Sequence, residues 1–244
     1  DAFAHYRARY APNGAAIVVA GAVRVGDVVE SIQRAYGLLR PSRVPPSRPA
    51  PRASQRRERV RTLAFATPTE KLLCGWHAPP FADPDHAVLV VAEQLLAGGR
   101  SSRLYERLVR GDELASDVRM SLAPFVHDTL ADLWASARHG VAASRILSGV
   151  DRELARLGAE GPTEDELSKV KNRLELGFLG ALETVPGKAE QIGFSFVVAG
   201  DPTHSFRRLA EYRAVTAADV ARVVREVLRP ERRTRVVVKK RGRG

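Results

Sequence analysis

Five prolines in eleven residues, Pro41, Pro45, Pro46, Pro49 and Pro51, interleaved with arginine and serine, fix more about this chain than any other stretch. Proline supplies no backbone donor and holds φ near −65°, so such a run is extended and cannot join a sheet or a helix interior. It divides the chain into a short piece of about 40 residues and a much longer one. The short piece reads as helix, strand, helix. Phe3, Tyr6 and Tyr10 share one helical face before Pro12-Asn13-Gly14 ends the helix. Ala15 to Gly21 is a continuous apolar run with the bulk of a buried strand, and Asp27 to Leu39 sets Val28, Val29, Ile32, Ala35 and Tyr36 on one side of a second helix. One strand between two helices cannot close a core, so this piece reads as the tail of a domain.

The longer piece carries its strands in blocks. Val60 to Ala66 and Lys71 to Ala78 flank the Pro68-Thr69 turn and suggest a hairpin. Asp83-Pro84 then opens a helix: the carboxylate can cap free amides, and proline suits the first helical position. That helix stops at Gly98-Gly99, and Ser101 is the expected cap of the next, whose apolar face is Leu104, Tyr105, Leu108 and Val109. Leu114 to Leu122 and Thr129 to Arg138 read as antiparallel strands, the second alternating Leu130 and Asp132 against Ala131, Leu133 and Ala135. From Ala142 onward helices dominate: Ser144 to Leu157, one opened by Thr163 and Glu166 at capping-box spacing, then Lys188 to Val198, His204 to Tyr212 and Ala217 to Leu228. Thr234 to Lys239 is a last strand. Blocks of strands and helices without βαβ alternation predict an α+β fold: an antiparallel or mixed sheet with helices packed on one side, a two-layer sandwich. The expected organisation is 1–40 as the tail of a truncated N-terminal α+β domain, 41–59 as a linker, 60–240 as a C-terminal α+β domain and 241–244 as a basic tail.

The formal charge of +11 is concentrated at two places. Residues 41–62 hold seven arginines against Glu58, and residues 229–244 hold eight Lys or Arg against Glu231. These two segments carry +13, so the remainder is −2, and aromatic residues make up only 6% of the chain. A nucleic-acid groove would need base-stacking aromatics beside its cations, so no nucleic-acid partner is expected, and a polyanion-binding module is the least favoured reading. No apolar run approaches the roughly 18 residues of a membrane span. The chain starts at Asp1 and its single methionine is Met120, so an upstream segment is expected, and the compartment stays open between bacterial cytoplasm and periplasm.

Reactive residues are scattered. His5, His77, His86, His127, His139 and His204 include no pair at helical three or four spacing, which predicts no metal site. Cys74 is alone and reads as a core thiol. His127-Asp128 falls in a loop between strands. Gly193-Phe194-Ser195-Phe196-Val197 lacks the last glycine of a nucleophile elbow. Gly98-Gly99-Arg100-Ser101-Ser102 has neither phosphate-loop spacing nor the dinucleotide fingerprint, and Glu164, Asp165 and Glu166 fit a first helical turn, where they complement the helix dipole. No catalytic residue is assigned, and no substrate-binding residue.

Tyr6 to Gly14 running into Ala16-Ile17-Val18-Val19-Ala20-Gly21, and Gly98-Gly99-Arg100-Ser101-Ser102-Arg103-Leu104-Tyr105, resemble the pitrilysin/insulinase family of zinc peptidases, which includes mitochondrial processing peptidase. Gly161-Pro162-Thr163-Glu164-Asp165-Glu166-Leu167 and Val215 to Val220 are similar to the same family's C-terminal domain. The resemblance implies that this chain is the non-metal-binding half of a zinc metallopeptidase, lining the wall of the substrate chamber opposite the zinc. Zinc would be held upstream by an inverted His-x-x-Glu-His motif that these residues lack. It also implies as partners an N-terminal domain of the same polypeptide or a homologous subunit, a peptide substrate, and a possible homo- or hetero-dimer. A non-catalytic scaffold or substrate-holding member of the family is the alternative. The family's C-terminal domain can offer an Arg and, seven residues later, a Tyr to substrate; the matching positions here are Val109 and Ser116, while Arg110 lies one residue out of register, about 100° around a helix.

Overall fold

The computed structural model describes residues 1–45 and 55–240; the centre of the expected linker and the basic tail 241–244 lie outside them. By its contacts the chain forms two compact units, Asp1–Pro51 with Leu176–Arg207, and Arg52–Glu175 with Arg208–Gly244.

In the first unit, α1 (Ala2–Arg9) stacks Tyr6 on Tyr10 with ring centroids 5.4 Å apart, and α2 (Val25–Tyr36) follows an extended segment. That segment, residues 15–21, was expected as a strand. It is extended but makes no ladder, because among the described residues all paired strands belong to the other unit. A strand exists only through its neighbour's hydrogen bonds. The segment packs instead on α6 (Val185–Ala199), where a Cβ on Gly193 would stand 3.1 Å from Val18. Asn13 bonds both backbone groups of Ser42, accepting from its amide (3.1 Å) and donating to its carbonyl (3.0 Å), which ties residue 42 to the turn after α1.

The second unit holds one five-stranded sheet in the order β1-β5-β2-β4-β3, from β1 (Arg59–Phe65), β2 (Lys71–Ala78), β3 (Ala115–Leu122), β4 (Thr129–Ala137) and β5 (Arg233–Lys240). β1 runs parallel to β5 and all other pairs are antiparallel, so the sheet is mixed. The expected hairpin between β1 and β2 does not form. β5, whose Val236, Val237 and Val238 suit a central position, inserts between them and satisfies both backbones.

Helices α3 (Pro84–Ala97), α4 (Ala143–Glu160) and α8 (Ala217–Val227) cover one face. Asp83 caps α3 by accepting from the Asp85 amide, and Thr216 with Asp219 forms a reciprocal capping box on α8. Beneath them lies the core: Leu72, Cys74, Trp76 and Ala78 of β2, Ala131, Leu133 and Ala135 of β4, and Val118 and Met120 of β3. The helix expected after Ser101 is present, but Tyr105–Gly111 has the wider π-helical winding. Ser101 is not its cap; its hydroxyl and carbonyl both accept from Lys169. α4 closes on this segment at Gly149, where a Cβ would collide with Leu108.

His86, on α3, is 1% exposed and meets Phe81 edge-on. Burial first, and repulsion from Arg208 second, push its imidazole down to about 4. The unfolded chain therefore binds this proton first as pH falls. Stability from neutral His86 is complete above about 6.5 and is lost progressively as pH drops toward 4. Urea midpoints measured at pH 7 and pH 4.5 should diverge more for the wild-type chain than for His86→Leu; equal divergence would refute this assignment.

Candidate functional site

The helices cover only one side of the sheet. Because side chains alternate, every residue between the buried ones of β2, β3 and β4 points to the other, open side. The registers place these residues in rows. In one row Arg61, Val236, Leu73, Trp134 and Arg119 lie side by side across all five strands. In the next stand Arg59, Thr234, Gly75, Asp132 and Ser121. Trp134 is 42% exposed and Leu130, on the same strand and face, 46%. The Arg119 guanidinium lies 5.6 Å from the Trp134 ring centroid, within cation–π range.

Gly75 leaves a notch in this face. The Asp132 carboxylate fills it, with one oxygen 3.2 Å from where a Cβ on Gly75 would be. Burial raises the Asp132 carboxyl above the usual carboxylate range. Lys71 donates to the Ser136 hydroxyl at 3.0 Å. Among the described residues no carboxylate lies within ion-pairing distance of Arg59, Arg61 or Arg119. The arrangement is an apolar strip with an aromatic platform and free cations, suited to contact rather than to bond making.

His77 stands exposed on this face opposite Leu130, and the other reactive side chains are placed elsewhere. Cys74 is fully buried under the helices, and burial pushes its thiol up to about 12 despite Arg233 nearby, which removes it as a nucleophile. Ser195 is buried within α6 and sits on no strained turn. His127 and Asp128 lie in the connection between β3 and β4. Glu166 completes the expected capping box: it accepts from the Thr163 amide at 2.9 Å, and the Thr163 hydroxyl accepts from the Glu166 amide at 3.2 Å. The same carboxylate takes a two-pronged bond from buried Arg103, at 2.7 and 2.6 Å, which holds it down at about 2. Glu164 and Asp165 lie with it in the first turn of the helix Glu164–Leu182.

The positions matching the family's Arg and Tyr are Val109, buried in the core, and Ser116, an exposed hydroxyl donating to the Ser136 carbonyl at 3.3 Å. Arg110 is exposed and paired with Glu106 at 2.7 Å. Neither a second guanidinium nor a phenol is assembled at those positions. Among the described residues no group of three His, Cys, Asp or Glu is arranged to hold a metal, so the residues present do not fit a zinc centre. No helix among them is long and apolar enough to cross a membrane. The open-face set of Trp134, Arg119, Arg61 and Asp132 was not singled out from sequence. The period-two pattern of residues 129–137 carried the available signal.

The sequence model described as "Peptidase M16 inactive domain" matches residues 1–174. Among curated proteins, none matches the chain. Among solved structures, a protease from Helicobacter pylori superposes with a TM-score of 0.80 at 21% identity, over 90% of this chain and 54% of that one. A peptidase M16 inactive domain from Pseudomonas fluorescens superposes at 0.77 and 15% identity, over 91% and 53%. The periplasmic protease PqqL from Escherichia coli does so at 0.71 and 18% identity, over 91% of this chain and 25% of that one. The chain spans about half the length of the first two, and at these identities the likeness is one of fold. With a mixed sheet layered by helices on one side and the family model covering most of its length, the chain belongs to the peptidase M16 inactive-domain family.

Proposed function

We propose that this domain is the non-metal-binding half of a zinc peptidase, and that its open sheet face forms the chamber wall opposite the zinc. The single observation carrying this is that face itself. A five-stranded sheet with Trp134 and Leu130 exposed on β4 and half-buried Leu73 beside Trp134 on β2 is a broad, rigid surface on which an extended peptide can lie. The proposal includes the division into a domain tail at 1–40, a linker at 41–59 and a second domain at 60–240. It also includes, as partner, an N-terminal domain of the same polypeptide or a homologous subunit. Uncovered apolar side chains in the first unit, among them Phe3, Tyr6, Val25, Val29 and Tyr36, offer that partner a seat.

The test is reconstitution. Metal analysis of the chain alone should find no stoichiometric zinc and peptide assays no hydrolysis; mixing with the zinc-bearing half from the same source should produce both. Tight zinc or hydrolysis by the chain alone would overturn the reading. The alternative of a non-catalytic scaffold is favoured by one observation, the replacement of the Arg and Tyr by buried Val109 and by Ser116. It predicts that the mixture assembles and holds peptide without cleaving it.

A further inference from the structure

We infer that the open face selects extended peptides in which a large apolar side chain is bracketed by acidic residues. This deepens the chamber-wall reading and rests on it. The row through Trp134 has an apolar middle, Val236, Leu73 and Trp134, and a guanidinium at each end, Arg61 and Arg119. Strands lie about 4.8 Å apart, so the two terminal arginines stand on backbones about 19 Å apart, a span that an extended peptide crosses in about six residues. The adjoining rows add Arg59 and Lys71 to the cations. They oppose these with Asp117 and with Asp132, whose carboxyl burial already raises above its ordinary range.

The face is therefore cationic at its ends and apolar at its centre, in contrast to the near-neutral bulk of the chain. Charges of this kind act mainly by steering and by excluding wrong partners: a basic flank would meet Arg61 or Arg119 head-on, whereas an acidic one would supply the carboxylate each lacks. Trp134 offers its ring to a single apolar side chain. It is the one aromatic in its row, and Phe65, also exposed on this side of the sheet, stands two rows away on β1, so no run of adjacent rings is offered to nucleic-acid bases.

Trp134 also provides the readout. The protein has two tryptophans, and Trp76 is buried with its indole N–H donating to the Arg229 carbonyl at 3.0 Å, so quencher-accessible emission comes from Trp134. The whole chain would be titrated with three synthetic peptides of about ten residues, long enough to cross the sheet. They share a central Leu-Phe pair and differ in flanking glutamates, glutamines or lysines. A single-stranded oligonucleotide would run in parallel, with acrylamide quenching as the measure. The glutamate peptide should shield Trp134 at roughly ten-fold lower concentration than the lysine peptide at low salt, with the gap narrowing as salt rises. The exposed double substitution Arg61→Gln with Arg119→Gln should remove most of the gap between the glutamate and lysine peptides, while Trp76 emission, which reports the fold, stays unchanged. Equal shielding by all three peptides, or a lysine preference, would overturn the charge selection and leave the peptide wall standing. Shielding by the oligonucleotide but by none of the peptides would overturn both, as would the absence of any shielding.

Discussion

Arg233→Ala should lower the unfolding free energy by about 3 kcal/mol, read as a drop in the urea midpoint at unchanged slope. Arg233 begins β5, and its side chain is 2% exposed. Its guanidinium donates to Glu58 at 2.8 Å and to Asp151 of α4 at 2.5 Å, and lies 5.9 Å from the centre of the Trp76 ring. Its carbonyl accepts from buried Gln55 at 2.6 Å. One residue thus binds the entry to β1, the sheet and a covering helix. Alanine would leave two half-buried carboxylates facing each other without a cation, a larger penalty than the loss of an exposed ion pair. Arg233→Met, which keeps the packed stem, should recover part of the loss. A midpoint unchanged in the alanine variant would mean that Glu58 and Asp151 are hydrated well enough to need no partner.

The second large effect belongs to Leu133→Ala, expected to cost about 3 to 4 kcal/mol. Leu133 is fully buried at the middle of β4, flanked across the strands by Cys74 and Met120 on the covered face. A sheet centre roofed by helices has little room to collapse, so the vacated volume persists as a cavity and adds to the transfer cost. Leu130→Ala, three residues earlier on the same strand and therefore on the open face, should cost under about 1 kcal/mol. The contrast between these two leucines measures which side of the sheet is core. Similar losses at both would mean that the open face is also packed.

The elements that sequence reasoning located best were those written in local chemistry. Asp83-Pro84 before α3 and the Thr163/Glu166 cap announce themselves within a few residues, and β4 shows its parity by alternation. What stayed hidden is non-local. Nothing in Val60 to Ala78 tells that residues near 236 separate its two strands, because backbone pairing leaves no mark on the strands that lack it. The π winding of Tyr105–Gly111 and the unpaired extension of residues 15–21 are likewise set by what packs around them. For the open face, Leu130 and Asp132 were legible as one side of β4. That this side is the bare one depends on where α3, α4 and α8 settle, and that is a property of the whole second unit.

The late position of β5 has a consequence for biosynthesis. Until residues 233–240 leave the ribosome, β1 and β2 have no partner between them, and the edges that β5 will occupy remain bare on the nascent chain. The sheet closes only once residues 233–240 have been made, through contacts some 175 positions apart such as Arg59 with Thr234, a slow kind of search. A premature stop before the last strand would therefore yield an open, adhesive sheet rather than a slightly shorter domain.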